Sequence, residues 1–99
     1  MTRLFAVTRS RGPGWDASRP LEGQDGWRSH ADFMNALQAE RFVLLGGPLE
    51  GTAETLLIIR AEDPDQISTR LAGDPWTGTD LLRTAKIVPW MLRLGSLGP

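Results

Sequence analysis

The chain has 99 residues, no cysteine, one histidine and a formal net charge of −1. That length fits one domain with a modest core, and the lack of cysteine excludes disulfides, thiolate nucleophiles and cysteine-based zinc sites. Basic and acidic residues are mixed with no basic block, which argues against the positive surface that nucleic-acid binding needs. The longest strongly apolar run, residues 56–59, is far below a membrane span, and the N-terminal apolar run is too short for a signal peptide. A cytoplasmic protein that binds neither nucleic acid nor membrane is expected.

Residues 3–9 predict a strand, being apolar and β-prone between polar ends. Residues 10–26 predict a long loop punctuated by Gly12, Pro13, Gly14, Pro20, Gly23 and Gly26; a connection that long in a small domain is usually functional or mobile. A helix follows over 25–40, where Trp27, His30, Met34 and Leu37 recur at three- and four-residue steps and Phe33 and Ala36 widen the stripe. Residues 42–45 predict a short strand stopped by Gly46-Gly47-Pro48, and Glu50-Gly51-Thr52 a turn before a strand over 55–61. Asp63 and Pro64 suit the N-cap and first position of a second helix, Ile67 and Leu71 form its narrow apolar stripe, and Gly73 is its stop. A turn over 74–78 leads to a last strand over 82–92, in which Pro89 calls for a bulge or a sheet edge.

The order β-α-β-β-α-β is the split βαβ arrangement of ferredoxin-like folds. A single α+β domain over residues 1–94 is expected, with two helices on one face of a four-stranded sheet and a frayed tail over 95–99. A sheet with one wet face should alternate apolar and polar residues. Here Leu4-Phe5-Ala6-Val7, Val43-Leu44-Leu45 and Leu56-Leu57-Ile58-Ile59 are apolar on both faces. Two helices cover only one of those faces, so the other is expected to pair with a second copy about a two-fold axis. Each side chain so covered contributes about 1.5–3 kcal/mol of gross burial, partly offset by association entropy. The expected cavity for chemistry depends on that pairing.

His30 is the only histidine and lies on the Trp27/Met34 stripe near the helix start, beside the long loop. An imidazole, with an ordinary pKa near ~6.5, is a usable general base at a pocket mouth. It needs an orienting carboxylate, and Asp74, Asp16, Asp25 and Asp80 are all candidates by position. Asp74 stands in Gly73-Asp74-Pro75-Trp76, which by spacing alone reads first as a helix exit and turn. Arg9, Arg11 and Arg19 flank the first loop with Trp15 among them, a combination that can bind aromatic or anionic molecules by stacking and bidentate hydrogen bonds, or that is a solvated loop whose Trp15 packs down on the helix. Trp27 and Trp76 join Trp15 as candidate substrate-binding rings. No zinc spacing, phosphate loop or dinucleotide fingerprint is present, and no cofactor or metal is expected.

Three stretches resemble the YCII-related domain family: residues 27–37, residues 42–49, and Asp74-Pro75-Trp76 followed by a strand ending Ile87-Val88-Pro89-Trp90. The loop pieces Gly12-Pro13-Gly14-Trp15-Asp16 and Ser18-Arg19-Pro20 are similar to its longer-loop branch. The resemblance implies a dimeric α+β barrel and a catalytic His–Asp pair, which fall on His30 and Asp74. It also implies chemistry on small cyclic or aromatic compounds, halide elimination included in one branch. The function expected is therefore a cofactor-independent lyase or isomerase using a His–Asp pair, with a non-catalytic dimeric binding or accessory module as the alternative.

Overall fold

The computed structural model describes residues 1–97. Of the expected tail, Gly98 and Pro99 lie outside the described residues. Strand β1 (Arg3–Arg11) alternates strictly: Phe5, Val7 and Arg9 are buried, while Leu4, Ala6, Thr8 and Ser10 are half-buried. Helix α1 (Trp27–Ala39) follows the loop, then β2 (Val43–Pro48), β3 (Glu54–Ala61), α2 (Pro64–Leu71), a one-turn helix α3 (Pro75–Gly78) and β4 (Leu82–Pro89). The four strands form one antiparallel sheet in the order β2-β3-β1-β4, the ferredoxin-like arrangement.

The helices pack on one face. Phe5, Val7, Leu57, Ile59, Ala61 and Val43 meet Leu37 of α1 and Ile67 and Leu71 of α2 in a single core. Burying each such side chain contributes about 1.5–3 kcal/mol. Helix α2 starts as the sequence requires: the Asp63 side chain accepts from the Gln66 N–H and Pro64 stands at the first turn. The opposite face carries Leu4, Ala6, Leu56 and Ile58 at its centre, by the register of β1 and β3. Leu45 and Val88 flank that centre on the edge strands, 54% and 48% exposed.

Several boundaries move from the sequence expectation. β1 runs on to Arg11, because Ser10 and Arg11 still pair with β4. β2 continues through Gly46-Gly47-Pro48, which pair with Leu57, Leu56 and Thr55; β2 is an edge strand, where a proline is tolerated. α1 begins at Trp27 instead of Asp25, since Gly26 takes a left-handed φ of 78°. Residues 75–78 form a helical turn instead of an open one. β4 ends at Pro89, not at 92, although the Trp90 N–H still donates to Leu4. β4 is the other edge, as Pro89 requires, and its pairing with β1 shifts register between Thr8 and Arg9.

Candidate active site

The loop before α1 is ordered by one side chain. Gln24, 4% exposed, accepts from the Asp16 N–H and donates to the carbonyls of Asp16 and Arg19. Gly12 and Gly14 donate to the carbonyls of Leu81 and Asp80, which ties the loop's start to the entry of β4. Its end is pinned by Trp76, whose Nε1 donates to the Asp25 carbonyl at 2.7 Å. Glycine is favoured at 26, where the chain turns left-handed and a Cβ would lie 3.3 Å from that indole nitrogen. The loop thus folds Trp15 and Leu21 down against Trp76 and Trp27.

Asp74 closes α2 and opens α3. Its side chain accepts from the Trp76 N–H at 3.0 Å, so the carboxylate is fixed by the turn it makes. Both oxygens lie 2.9 Å from Nδ1 of His30, and Oδ2 also accepts from Arg9 Nη1 at 2.7 Å. Arg9 Nη2 donates to Thr77 Oγ1, and Thr77 donates onward to the Leu71 carbonyl. Burial pushes the Asp74 carboxyl pKa up, but the hydrogen bonds from His30, Arg9 and the Trp76 N–H outweigh it and hold it below 3.8. The His30 ring lies flat on Trp76, 3.9 Å between centroids and 6° from parallel. Its plane is therefore set by Trp76 and its direction by Asp74.

With Nδ1 engaged, Nε2 points away from Asp74 and makes no hydrogen bond among the described residues. The imidazole, 12% exposed, forms part of the wall of a cavity of about 300 Å3. The cavity lies between α1 and the helical face of β1, β2 and β3, with apolar walls from Trp15, Leu21, Trp27, Met34, Val43 and Leu57. Asn35 and Gln38 of α1 and Thr55 of β3 supply neutral polar groups. Gly46 leaves room on the β2 side, where a Cβ would come 2.7 Å from Leu57. These lining residues lie on the helical side of the sheet, opposite the apolar face expected to pair.

Of the four carboxylates weighed as partners of His30, only Asp74 reaches it; Asp16 bonds Ser18, Asp25 meets Arg19, and Asp80 pairs with Arg83. Trp15, Trp27 and Arg11 line the cavity, with Arg11 stacked on Trp15 at 4.5 Å. Trp76 lies beneath His30 and contacts that ring instead of the cavity. Arg19 stands outside, half exposed between Asp16 and Asp25. Arg9 borders the cavity but turns both terminal nitrogens to Asp74 and Thr77. Gln24 and Thr77 were not singled out from sequence. A loop glutamine carries no pattern, whereas Arg9 stands in register with Phe5 and Val7 on an inward face, which marks it.

No family model matches the sequence, and no curated relative matches it. A solved structure does. 5-chloro-2-hydroxyhydroquinone dehydrochlorinase (TftG) of Burkholderia phenoliruptrix AC1100, solved in complex with 2,5-dihydroxybenzoquinone, superposes with a TM-score of 0.62. The two share this fold. The alignment covers 93% of this chain and 95% of that one at 24% identity. Among the described residues no helix is long and apolar enough to cross a membrane, and no group of three or more His, Asp or Glu is placed to hold a metal ion.

Proposed function

We propose that this chain is a cofactor-independent enzyme of the YCII-related type, a lyase or isomerase that moves a proton on a small hydroxylated aromatic or quinonoid molecule. The observation that carries the reading is the contact of His30 Nδ1 with both oxygens of a buried Asp74, 2.9 Å each, in a residue that lines an apolar cavity. In that arrangement Asp74 fixes the tautomer with the proton on Nδ1. Nε2 takes a proton from the substrate and returns it to the leaving group or to a second substrate atom. Trp15 and Trp27 supply flat apolar walls for a ring, and Arg11 offers a cation at the cavity wall for a substrate oxygen. The 2,5-dihydroxybenzoquinone bound by the dehydrochlorinase of the same fold is a molecule of this size and chemistry.

The same proposal includes a homodimer joined through Leu4, Ala6, Leu56 and Ile58, the apolar sheet face that no helix covers. A cytoplasmic location is part of it and is supported by the cysteine-free sequence.

The test is turnover of a panel of hydroxylated quinols and quinones, beginning with 2,5-dihydroxybenzoquinone, followed by NMR in deuterated buffer for proton exchange or consumption. His30→Ala is expected to lower the rate by about 10²–10⁴-fold while leaving quenching of cavity tryptophans by the ligand in place. Equal turnover by the variant rejects His30 as the base. Ligand binding with no reaction across the panel favours the binding-module alternative.

A further inference from the structure

Arg9 faces inward on β1 in line with Phe5 and Val7 and is 1% exposed. Its Nη1 donates to Asp74 and its Nη2 to Thr77, each at 2.7 Å, while its Nε is buried with no partner among the described residues. Such a pair is weak evidence for stability: apolar side chains of similar volume often serve as well, and an unpaired buried N–H is a cost. What distinguishes this pair is that Asp74 Oδ2, which Arg9 holds, also lies 2.9 Å from Nδ1 of His30. One carboxylate oxygen is shared by a permanent cation and a titratable ring.

The charge balance follows from that sharing. Asp74 alone, desolvated against His30, would favour the imidazolium, and a protonated ring cannot accept a proton. The guanidinium stays charged at any working pH and offsets the carboxylate locally. The other charged groups on the cavity wall are Arg11 of β1 and Glu54 of β3, both exposed and of opposite sign, where water and salt screen them. The further cavity residues of α1, Trp27, Met34, Asn35 and Gln38, are uncharged.

We propose that Arg9 is a positioning residue that fixes the Asp74 carboxylate and cancels its charge, so that His30 meets the cavity as a neutral ring with a free lone pair on Nε2. This rests on the reading of His30 as the base and adds the group that keeps it in the form a base requires.

The chain has a single histidine, so the imidazole nitrogen NMR signals report this ring alone. In the wild type near pH ~7 the expected spectrum is that of a neutral ring with the proton on Nδ1. Arg9→Gln keeps a donor toward Asp74 and loses the charge. At a given pH it should raise the ratio of protonated to neutral ring about tenfold or more. Arg9→Lys restores the charge and should bring the ratio back toward the wild type, a rescue that a merely structural role would not give. A folded Arg9→Gln whose ring is no more protonated than the wild type overturns the proposal. So does a wild-type ring that is already imidazolium near pH ~7.5; where Arg9→Gln fails to fold, that spectrum decides. If Arg9→Gln behaves as expected while His30→Ala keeps full turnover, the charge balance stands and the base reading falls.

Discussion

Asp74→Asn keeps the size of the side chain and removes its charge. The amide oxygen can still accept from the Trp76 N–H, so the start of α3 keeps its cap. What is lost is the anion that Arg9 meets at 2.7 Å, with both side chains essentially excluded from solvent. Arginine cannot shed its proton to escape, so a full charge is left buried without a counterion. Breaking a buried pair this way costs about 3–5 kcal/mol, a large share of the ~5–15 kcal/mol that holds a domain of this size. Urea unfolding at a fixed protein concentration reads the loss directly: with a slope of about 1–3 kcal/mol per M, the midpoint should fall by roughly 2 M. Acid adds a second readout. The folded-state pKa of Asp74 is lowered from 3.8, so its contribution is complete above the unfolded-state value and disappears as pH falls through the folded one. Wild-type stability should therefore decline in the range below about pH 4, and the variant's curve should lack that component. A loss under about 1 kcal/mol, the size of an exposed pair, would refute the dependence of the Arg9 charge on Asp74.

Gln24→Ala removes four hydrogen bonds inside the loop; it should cost about 1–3 kcal/mol and, by hydrogen exchange, strip protection from the Asp16 amide before any strand amide. Trp76→Phe deletes the bond to the Asp25 carbonyl and part of the surface under His30. A loss of about 1–3 kcal/mol is expected, together with a faster-exchanging Trp27 amide, since the segment entering α1 loses its anchor. Ala6→Glu places a carboxylate at the centre of the sheet face opposite the helices. Sedimentation should show the wild type at twice the 10.9 kDa chain mass and this variant at the single mass, with unchanged circular dichroism.

Much of the fold was legible because its signals are local. The Trp27-His30-Met34-Leu37 stripe, Asp63-Pro64 and the apolar centres of β1 and β3 each fix one element, and their order leaves little choice of topology. Boundaries were less legible where tertiary pairing overrides local preference. Gly46-Gly47-Pro48 reads as a break, yet the edge position of β2 lets β3 hold it in the sheet. The His30–Asp74 pair was legible through resemblance more than spacing, because 44 residues separate the two and four carboxylates competed by position. The role of Arg9 was hidden for a related reason. Its inward alternation is visible in the strand, but its partners come from α3, whose single helical turn no periodicity announces. The cavity between α1 and the helical side of the sheet was not legible, because its wall joins residues of β1, β2, β3 and α1 that lie far apart in the sequence.

The Gln24 amide has a consequence for how such a domain can change. It does for the loop what a ladder of main-chain bonds does for a strand, yet it constrains few of the loop's own side chains. Residues such as Ala17, Ser18 and Glu22 face solvent, and Trp15 and Leu21 present only their outlines to the cavity. New side chains at Trp15 or Leu21 would re-line one wall outside the main core, although both also pack against the cluster of Trp76, Leu81 and Leu82. Change in the shape of the cavity can thus accumulate on one tethered segment without a change in the sheet that carries it.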